Sequence, residues 1–141
     1  MNYNENIMNE KILEIVETCF DFTTDADSWY KQGMDGFRIV TDKQEILLGI
    51  NGSQSCCESF GYFMTNDNIE EFVGATIHEI RLTNTLLEVE NFDKEYSGDV
   101  MFVNIETNRG TLQFVAYNDH NGYYGHDAVV ISNQLNHQEC L

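Results

Sequence analysis

The stretch VMFVNIETNRGTLQFVAY, residues 100–117, reads as two strands and the turn between them. Residues 100–106 and 111–117 are rich in β-branched and aromatic side chains, which pack well on a pleated surface. Asn108-Arg109-Gly110 holds residues that accept positive φ angles, so the chain reverses there. Met101, Val103 and Ile105 alternate with Val100, Phe102 and Asn104, a pattern that predicts a strand buried on both faces. A third run, 128–132, follows across Asn118-Asp119-His120-Asn121-Gly122, again turn residues. Sequential strands joined by tight turns form an antiparallel meander, because parallel pairing needs a long crossover between strands.

The two-residue period extends upstream. Residues 37–41 and 45–50 form a predicted hairpin across Asp42-Lys43-Gln44, and Asn51-Gly52 leads through a turn to a further strand within 56–65. A β-rich stretch covers 75–90, with Ile77, Ile80, Leu82 and Leu86 as candidate core. Asp67-x-x-Glu70 has the form of a capping box opening a short helix, with Ile69, Phe72 and Val73 on its buried side and Gly74 as its stop. At the N-terminus Ile12, Ile15, Val16, Cys19 and Phe20 recur at helical spacing, while Glu10, Glu14, Glu17 and Asp21 lie off that stripe. Thr23-Thr24-Asp25-Ala26-Asp27 would end this element. The expected fold is therefore α+β: an N-terminal amphipathic helix within residues 1–30, packed on a curved antiparallel β-meander of about six strands with one short helix inserted. A single domain spans 1–141, with the sheet region at 37–132.

Composition bounds the function. A chain of 141 residues supports one core, and 42% hydrophobic with 12% aromatic residues is too many for a disordered acidic tail. Seven basic against 24 acidic side chains give a net charge of −17, which argues against direct binding to nucleic acid or to an anionic membrane, since phosphate contacts need Lys and Arg. No apolar run approaches the ~18–20 residues of a membrane span, and the acidic N-terminus lacks the features of a signal peptide. A cytoplasmic protein is expected.

The four cysteines are Cys19, Cys56, Cys57 and Cys140, with no C-x2-C spacing; Cys56, Cys57 and His120 could converge on a metal, but no spacing requires it, and buried thiols with neither metal nor cofactor are the expectation. Ser55-Cys56-Cys57-Glu58 suggests thiol chemistry, but a carboxylate beside a thiol raises its pKa and blunts it. A Cys/His hydrolase would need His78, His120 or His126 to meet a cysteine across the fold. There is no Ser-His-Asp motif, no G-x-G-x-x-G and no Walker-type loop, and the expectation is a protein without catalytic residues. Asn121-Gly122-Tyr123-Tyr124-Gly125-His126 has two readings. It is a hairpin loop whose rings cover the end of the core, or a ligand pocket in which Tyr123 or Tyr124 stacks on a ring while Asn121, His120 or His126 supplies polar contacts. An anionic ligand there would require Arg38, Arg81 or Arg109 to converge on it.

The strongest global signal is acidic. Glu88 and Glu90 share one strand face at about 6.6 Å, and Asp93, Glu95 and Asp99 continue the run. Glu70, Glu71 and Glu79 make a second acidic segment, and Glu14, Glu17 and Asp21 a third. Solubility alone accounts for such a balance. The sharper account is a surface mimicking the charge ladder of a nucleic-acid duplex, presented to a basic nucleic-acid-binding protein.

Cys56-Cys57-Glu58, Gly74 within 69–77, Thr111 after Gly110, and Asn121-Gly122-Tyr123-Tyr124 before the last strand carry a resemblance. Over about residues 45–132 the chain resembles an uncharacterised family of small phage and mobile-element proteins that share a CCE and an NGYY segment. The resemblance implies no activity and no catalytic residue; it implies a setting in which small acidic proteins inhibit host defence. With the charge, it leads to an anti-defence protein, in particular an anti-CRISPR, blocking a host nuclease through its acids. The alternative is a protein that binds or sequesters a nucleotide-like signal near Tyr123 and Tyr124.

Overall fold

The turn at Gly110, where φ is +114°, reverses the chain between two long strands, and the same antiparallel construction runs through the molecule. The computed structural model describes residues 8–22, 32–51, 59–66, 68–83, 99–119 and 126–141. The strands are β1 (Glu10–Phe22), β2 (Gln32–Thr41), β3 (Glu45–Asn51), β4 (Ser59–Met64), β5 (Thr76–Thr83), β6 (Asp99–Thr107), β7 (Gly110–Asp119), β8 (Asp127–Ile131) and β9 (Asn136–Cys140). They form one sheet in the order β4-β7-β6-β5-β1-β2-β3-β8-β9, and every neighbouring pair is antiparallel.

The sheet folds back on itself, so its two halves share a core. Phe37 on β2 meets Tyr62 on β4 edge-on at 5.7 Å and Phe114 on β7 at 6.1 Å. Ile39, Ile46, Leu48 and Ile50 line one wall, and Val103, Ile105, Leu112 and Phe114 the other. Fully burying each such side chain stabilises the fold by roughly 1.5–3 kcal/mol. β6 is buried on both faces, as its sequence predicts: Phe102 and Asn104 on the face away from this core are 8% and 5% exposed. There Gln113 donates to Asn104 Oδ1 at 2.7 Å, pairing two buried amides across β6 and β7.

The α+β expectation is overturned: among the described residues there is no α-helix. The predicted N-terminal helix is the 13-residue strand β1. Its register against β2 slips by one residue between Ile12, opposite Thr41, and Glu14, opposite Val40. That bulge puts Ile12 and Ile15 on the same face at a spacing of three, which imitates a helical stripe. Beyond it Val16, Thr18, Phe20 and Phe22 alternate with exposed Glu17, Cys19 and Asp21, the strand period. β-branched Ile12, Ile15, Val16 and Thr18 favour the extended chain once β2 is present to pair with it.

The other differences are smaller. Among the described residues the sheet has nine strands and not about six. The inserted helix is a 3-10 turn, Ile69–Phe72, preceded by Asn68 without a side-chain cap; Asp67 lies outside the described residues. Gly74, at φ +94°, closes it as expected. The meander holds for β5-β6-β7, but β8 pairs with β3 and β4 takes the free side of β7. β9 was not anticipated. Leu82, expected in the core, is 36% exposed, and Leu86 lies outside the described residues.

Two glycines permit the close approach of β1, β2 and β3. Gly36 faces Gly49, and a Cβ on Gly36 would collide with the Leu48 carbonyl. The ring of Phe20 lies over Gly49, where a Cβ would sit 2.8 Å from it.

Candidate functional site

β1 carries Glu14, Glu17, Cys19 and Asp21, all exposed. After the bulge Glu17, Cys19 and Asp21 share the inner face, opposite Phe37, Asp35 and Gly33 of β2, whereas Glu14 turns to the outer face opposite Val40. The acidic face predicted for a helix is thus divided between two sides of a strand, and Glu10 leaves the surface altogether at 3% exposed.

Where the inner face runs out of apolar cover, four polar groups meet. Tyr62 donates its hydroxyl to Glu17 Oε2 at 2.7 Å, and the Cys19 thiol donates to Asp35 Oδ1 at 3.0 Å. Burial of the ring, the hydrogen bond to Glu17 and the negative charge of Glu17 and Asp35 all push the Tyr62 phenol well above its ordinary range. The Asp35 hydrogen bond and charge raise the Cys19 thiol. Both groups are held protonated, so this cluster presents carboxylates and neutral donors and supplies no activated nucleophile. Sequence reading missed Asp35 and Tyr62. The only signal for Asp35 was that it is the one acid of its strand, next to Gly36.

The remaining predicted acids are spread around the molecule. Glu70 and Glu71 are exposed in the 3-10 turn, and Glu79 is exposed on β5. Asp99 opens β6 opposite Asn118. Glu88, Glu90, Asp93 and Glu95 lie outside the described residues. The arginines do not converge. Arg38 lies 4.0 Å from Glu45 and Arg81 3.3 Å from Glu106. Arg109 donates to the carbonyls of Glu71 and Val73 at 2.7 and 2.9 Å, closing the 3-10 turn with its guanidinium. Glu14, Glu17, Asp21, Glu70, Glu71 and Glu79 have no ion pair among the described residues.

Of the predicted ligand loop, Asn121, Tyr123 and Tyr124, with His120, lie outside the described residues. His126 is a core ring, 2% exposed, stacked on Phe60 at 4.0 Å with its Nδ1 2.7 Å from the Asn51 carbonyl. Its backbone exchanges hydrogen bonds with Leu141, whose carbonyl also accepts from Asn118, so Leu141 is built into the core. Cys56 and Cys57 lie outside the described residues; Cys19 and Cys140 are exposed, and His78 is exposed on β5. A shallow cavity of about 300 Å³ is lined by Leu82, Thr83, Val100, Met101, Phe102 and Glu139, and another of about 170 Å³ lies beside Phe22 and His137. Among the described residues no group of three or more His, Cys, Asp or Glu is placed to hold a metal ion. No helix among them is long and apolar enough to cross a membrane.

Residues 5–130 match the family model described as a domain of unknown function, DUF7448, and the chain belongs to that family. The match includes β1, which the resemblance read from the central and C-terminal motifs left out. No curated protein and no solved structure matches the chain.

Proposed function

We propose that this member of the DUF7448 family is a non-catalytic inhibitor: an acidic protein that occupies the basic nucleic-acid groove of a host-defence nuclease, in particular a CRISPR effector, in the bacterial cytoplasm. The observation that supports this reading is uncompensated charge. Six carboxylates on β1, the 3-10 turn and β5 are exposed without an ion pair among the described residues, while Arg38 and Arg81 are matched to Glu45 and Glu106. A groove lined with Lys and Arg would gain from such a surface both faster encounter and discrimination against other partners. The resemblance of the CCE and NGYY segments to phage and mobile-element proteins supports the anti-defence setting. The acids act through charge, so no bond is made or broken in the target.

The test is a binding titration against DNA-binding nucleases across a range of salt concentrations. The reading expects affinity to fall steeply as salt rises, and to fall again when Asp21→Asn, Glu70→Gln, Glu71→Gln and Glu79→Gln are combined. These side chains are exposed, so the variant should melt at an unchanged temperature. Binding indifferent to salt and to the four substitutions would contradict it.

A further inference from the structure

We infer that the outward edge of β1, residues 14–22, docks an extended Lys- and Arg-bearing strand of the protein partner, which adds to the sheet beside β1. This rests on the charge-driven partner binding proposed above and names the surface that would perform it. β1 pairs with β2 from Ile12 to Phe22. On its other side β5 pairs only with Glu10 and Lys11, and Ile12 closes that ladder by donating to Ala75 and accepting from Gly74. Beyond Ile12 no backbone hydrogen bond reaches this edge from any described residue. Leu13 is 51% exposed, and Glu14, Glu17, Cys19 and Asp21 are exposed too. A row of N–H and C=O groups that no described residue pairs is a template for one more strand.

Charge decides which strand. A second copy would bring its own Glu14, Glu17 and Asp21 against the same three, and like charges across a strand pair are destabilising. The acids therefore guard the edge against self-pairing. A strand with basic residues at alternate positions meets Glu17 and Asp21 on the inner face, or Glu14 on the outer, with opposite charge. Backbone bonds would supply sequence-tolerant affinity and the carboxylates would select for basic partners.

The experiment measures residue-resolved amide hydrogen exchange on the isotope-labelled full chain titrated with a short peptide of alternating Lys and Thr. Exchange is expected to slow at alternate amides within 14–22, and this protection should be lost with a Glu/Thr peptide or with the Lys/Thr peptide interrupted by proline. Equal protection by the proline peptide, or protection confined to other elements, would overturn the edge as the docking site while leaving charge-driven binding standing. The combined variant Glu14→Gln, Glu17→Gln, Asp21→Asn should lose the Lys/Thr effect and gain concentration-dependent self-association in sedimentation. A variant that stays monomeric and binds the peptide unchanged would overturn the role of charge. Should the nuclease titration fail while the peptide still protects β1, the inhibitor reading falls and the edge site remains.

Discussion

Tyr62 on β4 and Glu17 on β1 are joined by a 2.7 Å hydrogen bond that ties two strands from opposite ends of one half of the sheet order. The phenol is the donor, so the bond exists only while Tyr62 is protonated, and burial with the Glu17 carboxylate holds its pKa above the ordinary value. The unfolded chain loses this proton first. Stability from the group is thus fully present below about pH 10, the unfolded value, and declines as pH rises toward the folded one. Denaturation curves should show wild type losing stability across that alkaline range faster than Tyr62→Phe. Parallel declines would place the titrating group elsewhere.

Glu10 should be a structural carboxylate. It accepts from Thr41 Oγ1 at 2.8 Å, from Gln44 Nε2 at 2.9 Å on both oxygens, and from Gln134 Nε2 at 3.1 Å. Gln44 Oε1 in turn accepts from the Asn133 amide, so the network joins β1, the β2–β3 turn and the β8–β9 turn. Glu10→Ala removes the buried acceptor these donors share, leaving Thr41 Oγ1 only the Gln44 carbonyl and Gln44 Nε2 only Gln134 Oε1, and should cost about 1–3 kcal/mol in urea denaturation. Gln134→Ala, which removes one exposed donor to Glu10 and one acceptor for Gln44 but keeps the buried carboxylate, should cost less.

Gly36 and Gly33, three residues apart on β2, should respond oppositely to alanine. A Cβ at Gly33 meets nothing within 4 Å, whereas at Gly36 it runs into the Leu48 carbonyl. Gly36→Ala should destabilise by ~1–3 kcal/mol or more as β2 and β3 are forced apart. Gly33→Ala should be neutral or slightly stabilising by reducing the freedom of the unfolded chain. Thermal melts of the two variants check this directly.

Cys19 is exposed yet should be a slow nucleophile. The Asp35 carboxylate accepts its hydrogen and repels its thiolate, which raises the pKa. Alkylation at mildly alkaline pH should be slower at Cys19 than for a free thiol, and Asp35→Asn should speed it. Unchanged kinetics in that variant would remove Asp35 as the cause.

The strands from 100 to 117 and the hairpin of β2 and β3 were legible because turn residues and a clean two-residue period coincide there. β1 was not, because one bulge near Leu13 shifts its phase and produces a helical spacing between Ile12 and Ile15. Only pairing with β2, which local sequence does not reveal, resolves that ambiguity. The pairing of β8 with β3 is likewise a long-range choice, made by burying Ala128 and Val130 beside Leu48 and Ile50. Among site residues, the exposure of Glu17, Asp21, Glu70 and Glu71 was legible from their charge, whereas the burial of Glu10 depends on the donors that Thr41, Gln44 and Gln134 bring to it. The Tyr62–Glu17 and Cys19–Asp35 contacts depend on how the sheet folds back, and His126 reads as a loop ligand only until Phe60 stacks on it.

The most direct measurement is plasmid-transformation efficiency in cells carrying an active CRISPR nuclease and a matching target, with this protein expressed beside a panel of effector types. The account predicts rescue by the wild-type chain, lost when Asp21→Asn, Glu70→Gln, Glu71→Gln and Glu79→Gln are combined, and absent with an unrelated domain of equal charge. No rescue against any effector, or equal rescue by the neutralised variant, would contradict it.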